Sequence, residues 1–277
     1  MAEVNVDSWD GLVTALTTGT EDTTINLTKD IDLNDEYPEG ITRVAANQHN
    51  YTVNGNGYAI RNALLSDNSS MGMICGGSNR TITFVNIKLE NWTAENKIGS
   101  GYNCYVFSRV AFYHSDITIK LIGNENLAIK TSTSEYFRMS ECAVRVEGHV
   151  GLGNIGAACA FEVPVDSCHF TLLGTFSQVI LQASRSLIDG EFEVYDSNYS
   201  DRCNFNKAYL TVITAKIDTN QNISNSNGAQ CAIDTSVITT TGTISSNFIQ
   251  CNTEQIKSPE YLASQGFVIV PEVVGGS

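Results

Sequence analysis

Glu191 and Glu193 stand two residues apart in Leu187-Ile188-Asp189-Gly190-Glu191-Phe192-Glu193-Val194. On a strand that spacing puts both carboxyls on one face. Glycoside hydrolysis needs such a pair about 5–9.5 Å apart, one protonated and one charged. Asp166 and Asp189 form a second candidate pair if they fall at equivalent positions of adjacent coils. The bland reading of all four is that they are corner residues bonding backbone amides, or ordinary solvent-facing acids. Lyase chemistry would instead want a basic side chain beside an acidic sugar, often with calcium on clustered carboxylates. Arg138, Arg145, Arg185 and Arg202 are present, but no calcium ligand set accompanies them in the sequence.

Other chemistries find no constellation. His49, His114, His149 and His169 are scattered, and neither His-Glu-x-x-His nor Gly-x-Ser-x-Gly occurs. Gly151-Leu152-Gly153-Asn154-Ile155-Gly156 has the bare dinucleotide spacing without a following helix, and reads as a tight turn. Cysteines at 75, 104, 142, 159, 168, 203, 231 and 251 never form Cys-x-x-Cys, so they read as reduced, buried thiols. The expectation is no metal and no cofactor. Trp92, in the polar setting Glu90-Asn91-Trp92-Thr93, and Tyr195 and Tyr199, in a polar insertion, are the expected exposed binding residues. Such rings stack on sugars or anchor a protein interface.

Sixteen Lys and Arg against 30 Asp and Glu give a net charge of −14, which argues against a nucleic-acid partner. The amino terminus lacks a basic segment followed by an apolar run, so no signal peptide is expected. No stretch approaches the roughly 20 apolar residues that membrane insertion requires. Hydrophobic residues at 42% and charged ones at 17% instead point to a folded core.

These residues need elements to position them. Trp9, Leu12, Val13 and Leu16 recur at intervals of three and four, predicting a helix over 8–16 with Asp7 or Ser8 as its cap and Gly19 as its stop. The pattern then alternates in twos: Thr24–Leu27, Asp30–Leu33, Tyr51–Ile60 around an Asn/Gly turn, and Thr81–Glu90. An imperfect repeat follows, in Met139–Gly148, Val165–Gly174, Leu187–Val194, Leu210–Asp218 and Ala232–Thr239, recurring after roughly 21 to 26 residues. That length is one turn of a parallel β-solenoid, each turn about 4.8 Å from the last. Inward residues should form ladders, with Cys142 and Cys168 stacked one turn apart. The expected organisation is a cap over 1–22, a solenoid of about 8–10 turns over 23–257, and a closing or subunit-contact segment over 258–277.

The opening Ser8–Leu16 segment, the Thr24–Leu33 strand pair, the Val53–Ile60 unit and the closing Tyr261–Val270 segment together resemble the right-handed parallel β-helix proteins of the pectate-lyase-like superfamily. Within it the chain is most similar to small β-helix proteins of tailed phages and prophages. That resemblance implies an all-β solenoid with a short N-terminal capping helix. It also implies a non-enzymatic virion surface protein, structural, decorating or receptor-binding, often a homotrimer. Its partners would be other virion proteins, further copies of itself, or a host surface glycan, and its location the virion. The Arg-x-Pro-x-x-Arg pattern of the lyases is missing, as is the Asp-Asp pair of the polygalacturonase-like members. Two alternatives stand beside this reading: a glycan-degrading β-helix enzyme using Asp166, Asp189, Glu191 or Glu193, and a bacterial cell-surface adhesin.

Overall fold

The computed structural model of the chain describes residues 1–65, 73–95, 104–123, 127–128, 138–149, 157–196, 200–205, 208–225 and 230–268. Every strand pairing among them is parallel, in one 24-stranded sheet that coils on itself and a second of three short strands, Val44–Ala45, Ile74–Cys75 and Phe107–Ser108. Parallel strands in sequence order cannot be joined by hairpins. The chain therefore climbs as a parallel β-helix, and a sandwich of antiparallel sheets is excluded.

The alternation of apolar residues decides what each coil buries. One inward ladder runs through Ile31, Ile60, Leu89, Ile117, Val144, Phe170, Ile188, Ile213 and Ile233, whose next partner, Gln250, is exposed. A second begins Val4, Ile25, Val53, Phe84, Phe112 and Met139. Phe84 and Phe112 lie stacked, their ring centroids 5.2 Å apart. The coils are unequal. Ile31 to Ile60 and Ile60 to Leu89 are among the longest steps of the first ladder, and Phe170 to Ile188 and Ile233 to Gln250 among the shortest. The early coils carry longer corners than the sequence repeat implies.

One corner repeats its chemistry from coil to coil. Asn86, His114, Glu141, Ser167, Arg185 and Leu210 each take a positive φ of 48–54°. This left-handed kink is uncommon outside glycine and turns the next residue inward. That next residue is Ile87, Ser115, Cys142, Cys168, Ser186 or Thr211 in turn. Ser115, Cys142, Cys168, Ser186 and Thr211 each donate to the carbonyl two residues earlier, at 2.7–3.2 Å. Each of these carbonyls already accepts the backbone amide of the kinked residue in the coil before, so the side chain adds a second bond, and its small size leaves room for the next coil. Cys142 and Cys168 are thus stacked one coil apart. Both are buried, and the bond the Cys168 thiol makes to the Cys142 sulfur, with burial, raises the Cys168 pKa. Cys75, Cys159, Cys203, Cys231 and Cys251 are buried free thiols too. Burial pushes Cys159 and Cys203 up to about 12.

The ends are closed by helices. The helix Trp9–Thr18 is capped by Ser8, which accepts from the Gly11 amide, and covers the first coil with Trp9, Leu12 and Leu16. At the far end Thr253–Ile256 has a capping box from Asn252 and Gln255. Pro259–Ser264 is capped by Ser258. Ile256, Leu262 and Phe267 cover Leu210, Ala232 and Cys251 there. Asp30–Leu33 is not strand throughout. Only Ile31–Asp32 is, because the Asp32 carboxylate accepts from the Asn34 amide and starts a helical turn, Leu33–Glu36. No described helix is long and apolar enough to cross a membrane.

Candidate functional site

The strand Leu187–Val194 lies between His169–Ser184 and Lys216–Thr219. Ile188, Phe192 and Val194 are buried, so alternation turns Glu191 and Glu193 outward. Register sets Leu173 and Lys216 beside Glu191, and Thr175 and Asp218 beside Glu193. The result is a trough of about 260 Å3 lined by Thr175, Glu191, Phe192, Glu193, Lys216 and Asp218, with Gly174 at its edge. Gly174 has φ +86°, and a Cβ there would clash with the Gly148 carbonyl oxygen. A larger residue would push the strand under the trough away from the coil below.

Each polar group has a partner. Lys216 Nζ donates to Glu191 Oε1 at 2.6 Å, and that bond raises the Lys216 pKa. Thr175 Oγ1 donates to Glu193 Oε2 at 3.4 Å. Tyr195, 46% exposed, donates its hydroxyl to Asp218 Oδ1 at 2.8 Å, which holds the phenol above its ordinary pKa. The Tyr195 amide bonds to the Phe176 carbonyl. Asp196, next to it, is pinned through its own carbonyl by Asn220 Nδ2 and by Nε2 of the fully buried Gln221, both at 3.0 Å. The ring at the rim therefore rests on a braced backbone.

The expected site residues divide sharply. Glu191 and Glu193 line the trough, and Tyr195 stands beside it through its bond to Asp218. Tyr199 lies outside the described residues, as does the Gly151–Gly156 motif. Trp92 is not an exposed binding residue: it is 1% exposed, and its Nε1 donates to the Ile60 carbonyl at 2.8 Å. Strict alternation from the buried Leu89 would face Trp92 outward. Asn91, at φ +56°, adds a residue between Leu89 and Trp92 and returns the indole to the core.

Asp166 and Asp189 do not form a pair. Asp166 sits opposite Ser184 and binds Arg185, with Nε to Oδ1 at 2.8 Å. Asp189 sits opposite Thr171 and meets His169 Nε2 at 2.8 Å. They belong to different faces of the coil, on either side of the left-handed corner. Arg145 is paired with Glu147, and Arg202 with Asp196. Among the described residues no group of three or more His, Cys, Asp or Glu side chains is arranged to hold a metal.

Sequence reasoning missed Lys216, Asp218, Thr175 and Gln221. A signal existed, since Lys216-Ile217-Asp218-Thr219 alternates as Glu191-Phe192-Glu193-Val194 does one coil earlier. Only the stacking of the two coils fixes that register.

Residues 3–137 match the family of the putative pectate lyase-like adhesive domain. No curated protein and no solved structure matches the chain. The fold is a pectate-lyase-like β-helix. The trough lies in coils beyond the matched span.

Proposed function

We propose that this chain is an adhesive module whose outer sheet face binds an uncharged saccharide at the trough beside Tyr195. The single observation that carries the reading is an exposed aromatic ring fixed next to convergent carboxylates and an ammonium in an open groove. A sugar ring presents an apolar face and a rim of hydroxyls. The Tyr195 ring offers a surface for the first, and Glu193 and Asp218 accept from the second. Lys216, already on Glu191, retains further N–H groups for ring or hydroxyl oxygens. Three carboxylates against one ammonium make the trough negative, so it selects against uronates and sulfated sugars. The match to an adhesive domain supports adhesion as the purpose of binding. The setting we infer is a surface, of a phage particle or a bacterial cell, with a glycan on another cell as the ligand.

Glu191 and Glu193 also keep a hydrolytic reading alive, because they do share one outward face. Against it, Glu191 is committed to an ammonium, a poor arrangement for a proton donor, and the groove does not enclose a substrate. Calorimetric titration with neutral and uronic oligosaccharides, alongside an assay for new reducing ends, separates the readings. Binding of neutral sugars without turnover supports adhesion. New reducing ends that vanish in Glu191→Gln would replace it with hydrolysis.

A further inference from the structure

The first strand, Ala2–Val6, is paired with Thr23–Leu27, and no second strand pairs with it among the described residues. In a parallel ladder alternate residues bond to opposite neighbours. The Ala2 amide bonds to the Asp22 carbonyl and the Val6 carbonyl accepts from Thr28, so Ala2, Val4 and Val6 face inward along the ladder. The backbone groups of Glu3 and Asn5 consequently point to the open edge. Val4 also heads the ladder of Ile25, Val53, Phe84 and Phe112, all buried, yet is itself 39% exposed. Beside this edge runs a groove of about 570 Å3, walled by the opening helix through Gly11, Thr14, Ala15 and Thr18. A strand edge facing a helix of small side chains is the geometry that admits one more extended strand.

The opposite end of the chain carries a segment suited to fill it. Phe267 closes the last apolar cluster, and Val268 is 60% exposed. The sequence there, Val268-Ile269-Val270-Pro271-Glu272-Val273-Val274, is rich in the β-branched residues that favour strands. From Ile269 to Ser277 an extended chain reaches about 30 Å. We propose that residues 268–274 of one copy add as a strand to the Ala2–Val6 edge of a second, joining rods head to tail. Donor and acceptor are different surfaces, so the contact leaves one of each unused and chains grow without closing. Asp7, Asp10 and Glu21 line the groove, and Glu272 is the donor's only charge. Salt should therefore strengthen the contact by screening like charges.

Sedimentation velocity on the full chain at rising concentration, with fluorescence anisotropy of a labelled 267–275 peptide, tests this. Thr14→Arg blocks the groove from an exposed helical position, and Val270→Asp spoils the donor. Wild type should form oligomers that grow with concentration, and the peptide should bind Thr14→Arg at least about tenfold more weakly than wild type. Each variant alone should be monomeric, and an equal mixture should give dimers and nothing larger, since one intact groove and one intact donor remain. A wild type that stays monomeric without binding the peptide overturns the proposal. So does a Thr14→Arg chain that still grows, which would place the contact elsewhere.

Discussion

Ser115, Cys142, Cys168, Ser186 and Thr211 do the same work at successive corners, closing a bond to the carbonyl two residues back. Ser186 does more, since its hydroxyl also accepts from the Cys168 amide at 3.1 Å. Ser186→Ala stays close to the same volume but strands the Cys168 amide, while the Ser184 carbonyl keeps its bond from the Ser167 amide. Unsatisfied buried groups cost about 1–3 kcal/mol each. Thermal denaturation should show a clear drop in Tm, and an unchanged Tm would mean the bonds contribute nothing. Asp30 gives the matching prediction for pH. Its carboxylate accepts from the Ala59 amide at 2.9 Å and meets Arg61 at 2.8 Å, and those bonds lower its pKa. A carboxyl lowered in the folded state stabilises above its unfolded value, about 3.9, and that contribution is lost as pH falls through the lower folded value. Asp30→Asn should therefore lose less stability than wild type in denaturant titrations below about pH 4. At this scale Glu191, Glu193 and Tyr195 were legible in the sequence, because alternation alone faces the glutamates outward. Trp92 was not, because one left-handed asparagine reverses the alternation and nothing in Glu90-Asn91-Trp92 marks it.

The opening helix is held by Trp9, Leu12 and Leu16 against the first coil and by the Asn47 amide, which donates to the Leu16 carbonyl. Leu16→Ala removes fully buried carbons at the end of the rod, where large-to-small changes cost about 2–5 kcal/mol. The loss should appear in chemical denaturation, with increased dye binding at the exposed coil end if the helix lifts away. A change below about 1 kcal/mol would contradict its capping role. This helix was readable because its period of three to four, its Ser8 cap and Gly19 agree with one another. The closing helix Pro259–Ser264 carries its marks in the sequence as well, Ser258 at its cap and Pro259 at its first position. The turn Leu33–Glu36 escaped because a single side-chain bond from Asp32 outweighs the alternation that precedes it.

For the whole molecule, parallel stacking could be read from the later repeats, where corners are short and Cys142 and Cys168 mark the same position of successive coils. The longer corners of the first coils hide the period, and the trough stayed hidden because its two walls come from successive coils. Stacking brings Glu193 and Asp218 side by side, and Tyr195, next after the strand, donates its hydroxyl to Asp218. The proposed binding face, assembled in this way, predicts a ligand held at one place on the rod. Diffraction from crystals of the chain soaked in a neutral oligosaccharide would locate that place. The expected density is a sugar ring against Tyr195, with hydroxyls in hydrogen-bond reach of Asp218 and Glu193. A sugar ordered on another face, with the trough holding only solvent, would contradict it.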